Sequence, residues 1–204
     1  MSQKVMTNKP KMILIAGPNG SGKSTLTNHL MTQGFDFGIY VNPDEIASRL
    51  TGSDISRAKQ AQKIAEDHRH KLRSSGVSHS FESVMSHPSK IEYMVQAKAD
   101  GFDVTLLFVG IDDPKTNVAR VANRVKQGGH PVPIDKILSR YQRAMDMLFD
   151  AAMTADHALI FDNSGREGIK LIAEVKNRDL ISYVEGCPWV KVHFMDKYNQ
   201  KKNT

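Results

Sequence analysis

A glycine-rich segment, residues 17–24, has the composition and spacing of a phosphate-binding loop. It matches the pattern G-x-x-x-x-G-K-[ST] at every fixed position, directly after an apolar run and directly before a helix-forming segment. Glycines let successive backbone N–H groups point at one phosphate, and the N-terminus of the following helix adds partial positive charge. In such a loop the Lys23 side chain reaches the β- and γ-phosphates, and the Ser24 hydroxyl binds Mg²⁺. The sequence therefore predicts a site for ATP and Mg²⁺ formed by Gly17, Pro18, Asn19, Gly20, Ser21, Gly22, Lys23, Ser24 and Thr25.

Two carboxylates stand at the ends of the next two apolar runs. Asp44 follows the first of these runs and Glu82 ends the second. Ligand sites of α/β proteins lie beyond the carboxyl ends of parallel strands, where a carboxylate takes a proton from an attacking hydroxyl or holds the water around Mg²⁺. We expect Asp44 to be a general base and to contact substrate together with Glu82 and Ser83. The alternatives are a helix N-terminal acid for Asp44 and a structural hydrogen-bond partner for Glu82. Ser83 and His79 carry less information, and a solvent-facing position is the favoured interpretation of each.

Two predicted helices carry arginines and are joined by a turn rich in glycine and proline. The first helix, residues 115–127, carries Arg124, and the second, which begins at Pro133, carries Arg140. The turn Gly-Gly-His-Pro-Val-Pro combines flexible and stiff residues, so we expect residues 115–145 to form a lid. Lid arginines stabilise the charge of a transferring phosphoryl group. This arrangement favours phosphoryl transfer, with an ordinary charged helix surface as the alternative.

Other polar residues are assigned structural roles. Arg120 and Arg143 are expected on the charged helix surface, His130 in the turn, and Cys187 in the core. The segment Asp-Asn-Ser at residues 162–164 predicts an Asx turn, whose Asn and Ser could also reach the nucleotide. The histidines lack metal-ligand spacing, so no structural zinc is expected.

The elements that must position these residues alternate between strands and helices. Five strands are predicted by apolar or β-branched runs at residues 12–16, 39–42, 77–83, 104–109 and 157–161. Strands separated by helices form a parallel sheet. Two further runs, on either side of Asn-Arg-Asp at residues 177–179, predict a β-hairpin. The predicted fold is α/β of the P-loop NTPase type: a mostly parallel five-stranded sheet flanked by helices, with a helical lid and a C-terminal β-hairpin appendage.

Length and composition fit one soluble domain. The chain has 204 residues, and 28 Lys and Arg against 22 Asp and Glu give a formal charge of +6. We expect a single domain over residues 1–204, with a core at about 11–164, the lid at about 115–145 and the appendage at about 165–196. Residues 1–10 and about the last eight residues are expected to lack regular structure.

The same composition bears on compartment and partners. No apolar run is long enough to cross a bilayer, and the first residues lack a secretory signal. The single cysteine cannot form an internal disulfide, which fits a reducing compartment. We therefore expect a cytoplasmic protein with no membrane partner. No basic run is interleaved with aromatic residues, so nucleic acid is not indicated as a partner.

Several segments taken together resemble the compact zeta-toxin-like P-loop kinases. They are residues 13–24, Tyr-Val-Asn-Pro-Asp-Glu-Ile-Ala at 40–47, Phe-Glu-Ser at 81–83, Arg-Val-Lys-Gln-Gly-Gly-His at 124–130, Val-Pro at 132–133 and Arg-Tyr at 140–141. The resemblance covers about residues 11–164. It implies that Asp44 is a general base toward a sugar hydroxyl, that Glu82 is the acidic residue ending the third strand, and that Arg124 and Arg140 are lid arginines. It also implies UDP-N-acetylglucosamine as the acceptor and a small antitoxin protein as a partner.

Two other functions stay open at this point. The same machinery could phosphorylate an antibiotic, a nucleoside or a polynucleotide 5′-hydroxyl, the last of which predicts a basic groove and steep salt dependence. The chain could instead be an ATP-binding switch or a transporter-type ATPase that works through a partner. Against the second function, the sequence has neither an L-S-G-G-Q segment nor four apolar residues followed by Asp-Glu.

Overall fold

The computed structural model of the protein describes residues 9–203. Its strands are β1 (Lys11–Ala16), β2 (Ile39–Val41), β3 (His79–Ser83), β4 (Asp103–Gly110), β5 (His157–Asp162), β6 (Lys170–Lys176) and β7 (Asp179–Tyr183). They form one sheet in the order β2-β3-β1-β4-β5-β6-β7, in which the first five are parallel. The predicted parallel strands and the hairpin are confirmed. The hairpin pairs antiparallel with β5 and so extends the sheet itself to seven strands.

Helices connect the parallel strands and close the chain. They are α1 (Lys23–Thr32), α2 (Pro43–Ser48), α3 (Asp54–Ser74), α4 (Ser89–Ala99), α5 (Pro114–Lys126), α6 (Ile134–Thr154), α7 (Pro188–Val190) and α8 (Asp196–Lys202), with a π-helical turn, Lys191–Met195, between the last two. Within residues 9–203, no helix combines the length and the apolar character that a membrane span requires.

The central strand β1 is buried on both of its faces. Met12 and Leu14 point into the larger core, which α4, α6 and the C-terminal helices complete. Ile13 and Ile15 point into a smaller core with Leu26 of α1. Side chains alternate between the faces of a strand, so a run of consecutive apolar residues is what a sheet covered on both sides requires.

The C-terminal end is folded, and the expectation of an unstructured end was wrong. Residues 196–202 form α8, and Tyr198 is 5% exposed. The Tyr198 ring stacks on Phe194, and its hydroxyl accepts a hydrogen bond from the backbone N–H of Leu180 at 2.9 Å. Burial of these rings holds the helix against α6 and the hairpin and stabilises it. The polar, lysine-rich sequence of this segment did not indicate such packing. The same expectation for residues 1–8 lies outside the described range.

Trp189 fixes the start of this C-terminal segment. Its indole Nε1 donates to Asp162 Oδ1 at 2.7 Å, and its ring lies against Gly110 at the end of β4. A Cβ atom on Gly110 would lie 2.5 Å from the ring, so only glycine fits there. The neighbouring Cys187 is buried, as expected.

His79 is buried, contrary to the expectation of a solvent-facing side chain. Its Nε2 lies 2.7 Å from the Tyr93 hydroxyl, and its Nδ1 lies 2.8 Å from the carbonyl oxygen of Val77. Burial lowers the pKa of the imidazole, because the charged form loses its hydration. This histidine therefore belongs to the core between β3 and α4.

Candidate active site

The carboxyl ends of β1, β2 and β3 open into a cleft of about 1270 Å³. The cleft is lined by most of the residues that the sequence singled out: Asn19, Gly20, Gly22, Lys23, Ser24, Thr25, Asp44, Glu82, Ser83, Arg124 and Arg140. Gly17, Pro18 and Ser21 complete the loop behind this lining. Residues far apart in the chain thus meet at one edge of the sheet, as parallel topology predicts.

The loop between β1 and α1 has a backbone that only glycine tolerates at its ends. Gly17 has a φ of 140°, and a Cβ atom there would lie 2.1 Å from the carbonyl oxygen of Val109. Gly22 has a φ of 103° and precedes the first residue of α1. The loop therefore curls closely around the N-terminus of α1, where backbone N–H groups and the helix dipole attract an anion.

The Lys23 ammonium is held inside this loop. Its Nζ donates to the carbonyl oxygens of Gly17 at 2.8 Å and Pro18 at 3.0 Å. Withdrawal from water lowers the pKa of Lys23 to about 8; the charge of Glu82 opposes this shift and that of Arg124 adds to it. A phosphate beside Nζ would favour the charged form and raise this pKa again.

Glu82 accepts hydrogen bonds from hydroxyl groups on two elements. Ser24 and Thr27 of α1 donate to its two carboxylate oxygens, each at 2.9 Å, and Tyr40 of β2 donates at the same distance. Burial and the Glu82 charge raise the pKa of the Tyr40 hydroxyl. Sequence reasoning missed Thr27 and Tyr40; the position of Thr27, three residues after Ser24 on one helix, was the available signal.

The oxygens of Ser24 and Glu82 are of the kind that Mg²⁺ prefers. Mg²⁺ is bound in proteins by one or two such groups, with phosphate oxygens and water completing its shell. Among the described residues, no group of three or more His, Cys, Asp and Glu side chains could hold a metal ion by itself. The donor set therefore fits an ion that arrives with a nucleotide.

Asp44 lies in the first turn of α2 and faces the cleft. Its backbone N–H donates to Asn42 Oδ1 at 2.9 Å, which starts the helix and fixes the position of the residue. Within residues 9–203 its carboxylate forms no hydrogen bond or ion pair, so both oxygens are available to a ligand. Ser83, at the end of β3, accepts a hydrogen bond with its hydroxyl oxygen from the backbone N–H of Met85 at 3.0 Å.

Three arginines line the cleft from the side of α5 and α6. Arg124 donates a hydrogen bond to the carbonyl oxygen of His130 at 3.2 Å. Arg140, in the first turns of α6, also lines the cleft. Arg120 was expected on the helix surface, but it lines the cleft and donates to the carbonyl oxygen of Asn163 at 2.9 Å. Arg143 is exposed and lies outside the cleft, as expected.

This loop, the two cleft carboxylates and the arginines occur in a chain whose residues 2–171 match the family model described as zeta toxin. The chain belongs to the zeta toxin family. The resemblance found in its sequence is thereby confirmed.

Similar proteins include one relative by sequence and two solved structures. An uncharacterized protein of Haemophilus influenzae is 32% identical over 144 residues, which are 68% of this chain and 98% of that protein. A chain of the crystal structure of AvrRxo1-ORF1:-ORF2 with ATP superposes with a TM-score of 0.69 and 20% identity, covering 92% of this chain and 64% of its own length. A structure of the PezAT chromosomal toxin-antitoxin system of Streptococcus pneumoniae gives a TM-score of 0.63 and 16% identity, covering 97% and 86%. These superpositions show a shared fold.

In this zeta toxin family member, two asparagines brace the phosphate-binding loop. The Asn117 side chain on α5 donates to the carbonyl oxygen of Asn19 at 2.7 Å, and Asn117 is fully buried. Asn163, after β5, donates to the carbonyl oxygen of Ser21 at 2.8 Å. The Asx turn predicted at residues 162–164 is present, since the backbone N–H of Ser164 donates to Asp162 Oδ1 at 3.3 Å. The turn therefore also supports the loop, a role that its sequence did not reveal.

The two helices of the predicted lid pack on the body of the domain. Asn117 anchors α5, while Tyr141 of α6 is buried and donates to the carbonyl oxygen of Ile111 at 2.7 Å. The turn between the helices, residues 127–133, is mostly exposed, and it borders a cavity of about 570 Å³ shared with the start of α3. Lid movement stays a prediction.

The family member's cleft also contains two cations that sequence reasoning missed. Arg69 of α3 and Lys90 of α4 line it on the side of β3 where Phe81 lies. The packing of α3 and α4 against the sheet places these two residues in the cleft. Because neither belongs to a recognisable motif, the sequence did not indicate this placement.

Proposed function

We propose that this protein is an ATP-dependent kinase that transfers the γ-phosphoryl group of ATP to a hydroxyl of a small molecule. The observation that carries this proposal is the presence of Lys23 and Ser24, the unpartnered Asp44 carboxylate and the cleft arginines in one cleft. A passive nucleotide switch needs the loop but not a free carboxylate beside it. We take the acceptor to be a UDP-activated amino sugar such as UDP-N-acetylglucosamine, as the family resemblance implies.

The loop residues would bind the triphosphate. The backbone N–H groups of the loop and the Lys23 ammonium would surround the β- and γ-phosphates. Residues 17–25 would form the wall of this phosphate site. The ATP present in the AvrRxo1-ORF1:-ORF2 crystal structure supports ATP as the nucleotide. Ser24 and Glu82 would hold Mg²⁺, which when bound neutralises charge on the β- and γ-phosphates. The Ser24 hydroxyl donates its hydrogen to Glu82 in this structure, so its oxygen lone pairs stay available to the ion.

Asp44 would act as the general base. Its carboxylate takes the proton of the acceptor hydroxyl as the oxygen forms a bond to the γ-phosphorus, and the bond from that phosphorus to the bridging oxygen of ADP breaks. Arg124 and Arg140 stabilise the charge on the transferring group, and Arg120 is close enough to the loop to assist. Positioning and electrostatics then account for the rate.

A small antitoxin protein is part of the proposal as a partner. It is supported by the family of the chain and by the toxin-antitoxin system in which the PezAT neighbour takes part. Cytoplasmic localisation and the absence of a nucleic-acid partner stay predictions from composition.

The test is mass spectrometry of UDP-sugars, led by UDP-N-acetylglucosamine, after incubation with Mg²⁺, ATP and the protein. Lys23→Ala is the blank, because it removes the cation that the loop encloses. A new species heavier by one phosphoryl group, absent from the blank, is expected. If ATP is bound or hydrolysed while every UDP-sugar stays unmodified, the sugar acceptor is wrong and another hydroxyl compound or a partner protein takes its place.

A further inference from the structure

Arg69 is a buried cation that has no acidic partner in the part of the chain that the structure describes. It is 6% exposed, and its guanidinium carbon lies 4.5 Å from the centre of the Phe81 ring. Within residues 9–203 it forms no ion pair. Buried charges are normally paired, because removal from water is costly unless another charge compensates. Arg69 lines the cleft, so the missing partner can reach it from there.

Lys90 stands beside Arg69 in the same part of the cleft. It lies in the first turns of α4 and is half-buried, and no described carboxylate pairs with it. Burial lowers the pKa of Lys90, and the nearby positive charge of Arg69 lowers it further. Glu66 partly offsets both charges without forming an ion pair with either.

Two other cations on the same two helices have acidic partners. Arg73, one turn beyond Arg69 on α3, has its Nε 2.9 Å from Asp100. Lys98, two turns beyond Lys90 on α4, has its Nζ 2.8 Å from Asp156. Arg73 and Lys98, which do not line the cleft, thus have acidic partners, whereas within residues 9–203 neither Arg69 nor Lys90 forms an ion pair.

We propose that Arg69 and Lys90 form an anion subsite that binds a phosphate or diphosphate group of the acceptor. The subsite lies across β3 from α1, because Phe81 and Glu82 are consecutive and point to opposite faces of the sheet. It is thus separate from the loop that takes the nucleotide. An arginine held over an aromatic ring presents a planar set of donors to phosphate oxygens, and a lysine adds a mobile charge.

This inference rests on the proposed kinase function and narrows its substrate class. An acceptor with a phosphate or diphosphate would span the cleft, with its anion on Arg69 and Lys90 and its hydroxyl beside Asp44. A neutral sugar or nucleoside would leave the two cations without a partner and would bind poorly. UDP-activated sugars belong to the favoured class, and neutral antibiotics do not.

The test is isothermal titration of UDP into the full chain saturated with Mg²⁺ and AMP-PNP, so that the loop is already occupied. Uridine, which lacks the diphosphate, and inorganic phosphate are titrated in parallel. We expect UDP and phosphate to bind and uridine to bind much more weakly. Lys90→Gln should weaken UDP binding by about tenfold while AMP-PNP affinity stays unchanged.

Lys71→Gln is the matched control, because Lys71 is exposed on α3 outside the cleft. It removes the same charge and should leave UDP affinity unchanged. Arg69→Lys is used at the buried position because it keeps a positive charge there, whereas a neutral residue could unfold the protein. Thermal melting checks the fold of each variant. Equal UDP affinity in wild type and Lys90→Gln, or no binding of UDP and phosphate, would overturn the subsite.

The binding measurement needs no turnover, so its failure is distinguishable from failure of the kinase proposal. Phosphorylation of UDP-N-acetylglucosamine without any effect of Lys90→Gln on its KM would leave the kinase and remove the subsite. Conversely, Lys90-dependent binding of UDP in a protein that modifies no UDP-sugar would keep the subsite and overturn the sugar acceptor.

Discussion

Glu82 illustrates how much one side chain must do in this cleft. A carboxylate has about four positions for accepting hydrogen bonds, and Ser24, Thr27 and Tyr40 already use three of them. The Thr27 and Tyr40 bonds point one oxygen into the protein, which leaves the other oxygen to Ser24. We infer that the Glu82 oxygen that accepts from Ser24 has room for an ion or its bound water, while the other oxygen keeps the side chain oriented.

Substitution Asp44→Asn separates nucleotide binding from transfer. The amide keeps the shape of the side chain but does not accept a proton, so we expect turnover to fall by about 10²–10⁴-fold with unchanged affinity for AMP-PNP. Turnover is followed by ADP release and affinity by calorimetry. Glu92→Gln, which changes an exposed acid in the first turn of α4 outside the cleft, is the control and should retain activity. Wild-type turnover by Asp44→Asn would refute the assignment of Asp44 as base.

The lowered pKa of Lys23 predicts a pH dependence of nucleotide affinity. With a pKa of about 8 in the free protein, Lys23 is charged below pH 8 and increasingly neutral above it. Phosphate binding favours the charged form, so binding above pH 8 requires proton uptake, and affinity should fall by up to about fivefold between pH 8 and pH 9. Calorimetry with AMP-PNP in two buffers of different ionisation enthalpy measures both quantities. Lys126→Met, which removes an exposed lysine at the end of α5, should show the same profile. An affinity independent of pH up to 9.5 would contradict the shifted pKa.

At the scale of elements, the phosphate-binding loop depends on neighbours that are distant in sequence. Its glycine pattern predicted the loop and the helix after it, because these follow from local backbone conformation. The pattern carried no information about Asn117 and Asn163, whose side chains reach the loop only after α5 and β5 have packed beside it. Arg120 was missed for the same reason, since helical spacing alone does not tell which charged face meets the cleft.

Asn117→Ala tests this bracing. Loss of the hydrogen bond to Asn19 should lower the free energy of unfolding by about 1–2 kcal/mol and weaken AMP-PNP binding, because the loop loses support from α5. Urea unfolding and calorimetry measure the two effects. Lys115→Ala, on an exposed position of the same helix, should change neither. A variant that loses stability but keeps full nucleotide affinity would show that the bond supports the fold and not the loop conformation.

For the molecule as a whole, the sequence predicted the parallel sheet and its site edge but not how the chain ends. Alternating apolar runs and helical segments are strong signals, so all five parallel strands were found close to their observed bounds. The last helices were missed because they are short and rich in lysine. Phe194 and Tyr198 become buried only when α6 and the hairpin provide the opposite surface, and such tertiary burial has no local signature.

Gly110→Ala tests the junction between the sheet and this C-terminal segment. An added methyl group would meet the Trp189 ring at 2.5 Å, so the ring or β4 must move. We expect the free energy of unfolding to fall by about 1–3 kcal/mol, measured by urea denaturation. Gly165→Ala is the control, because a Cβ atom there meets nothing closer than 3.9 Å. Unchanged stability of Gly110→Ala would show that the C-terminal segment is not held tightly against β4.

Trp189 is the single tryptophan of the chain, and its indole is bound to Asp162, which is followed directly by the loop brace Asn163. The emission of an indole depends on its hydrogen bonding and on nearby charge. A change in the conformation of the phosphate-binding loop can therefore reach Trp189, the only strongly fluorescent side chain in the protein, through Asn163 and the adjacent Asp162. We expect nucleotide binding to alter intrinsic fluorescence without any added label, and Trp189→Phe to abolish the signal while leaving calorimetric affinity unchanged. The protein thus contains its own optical reporter of nucleotide occupancy.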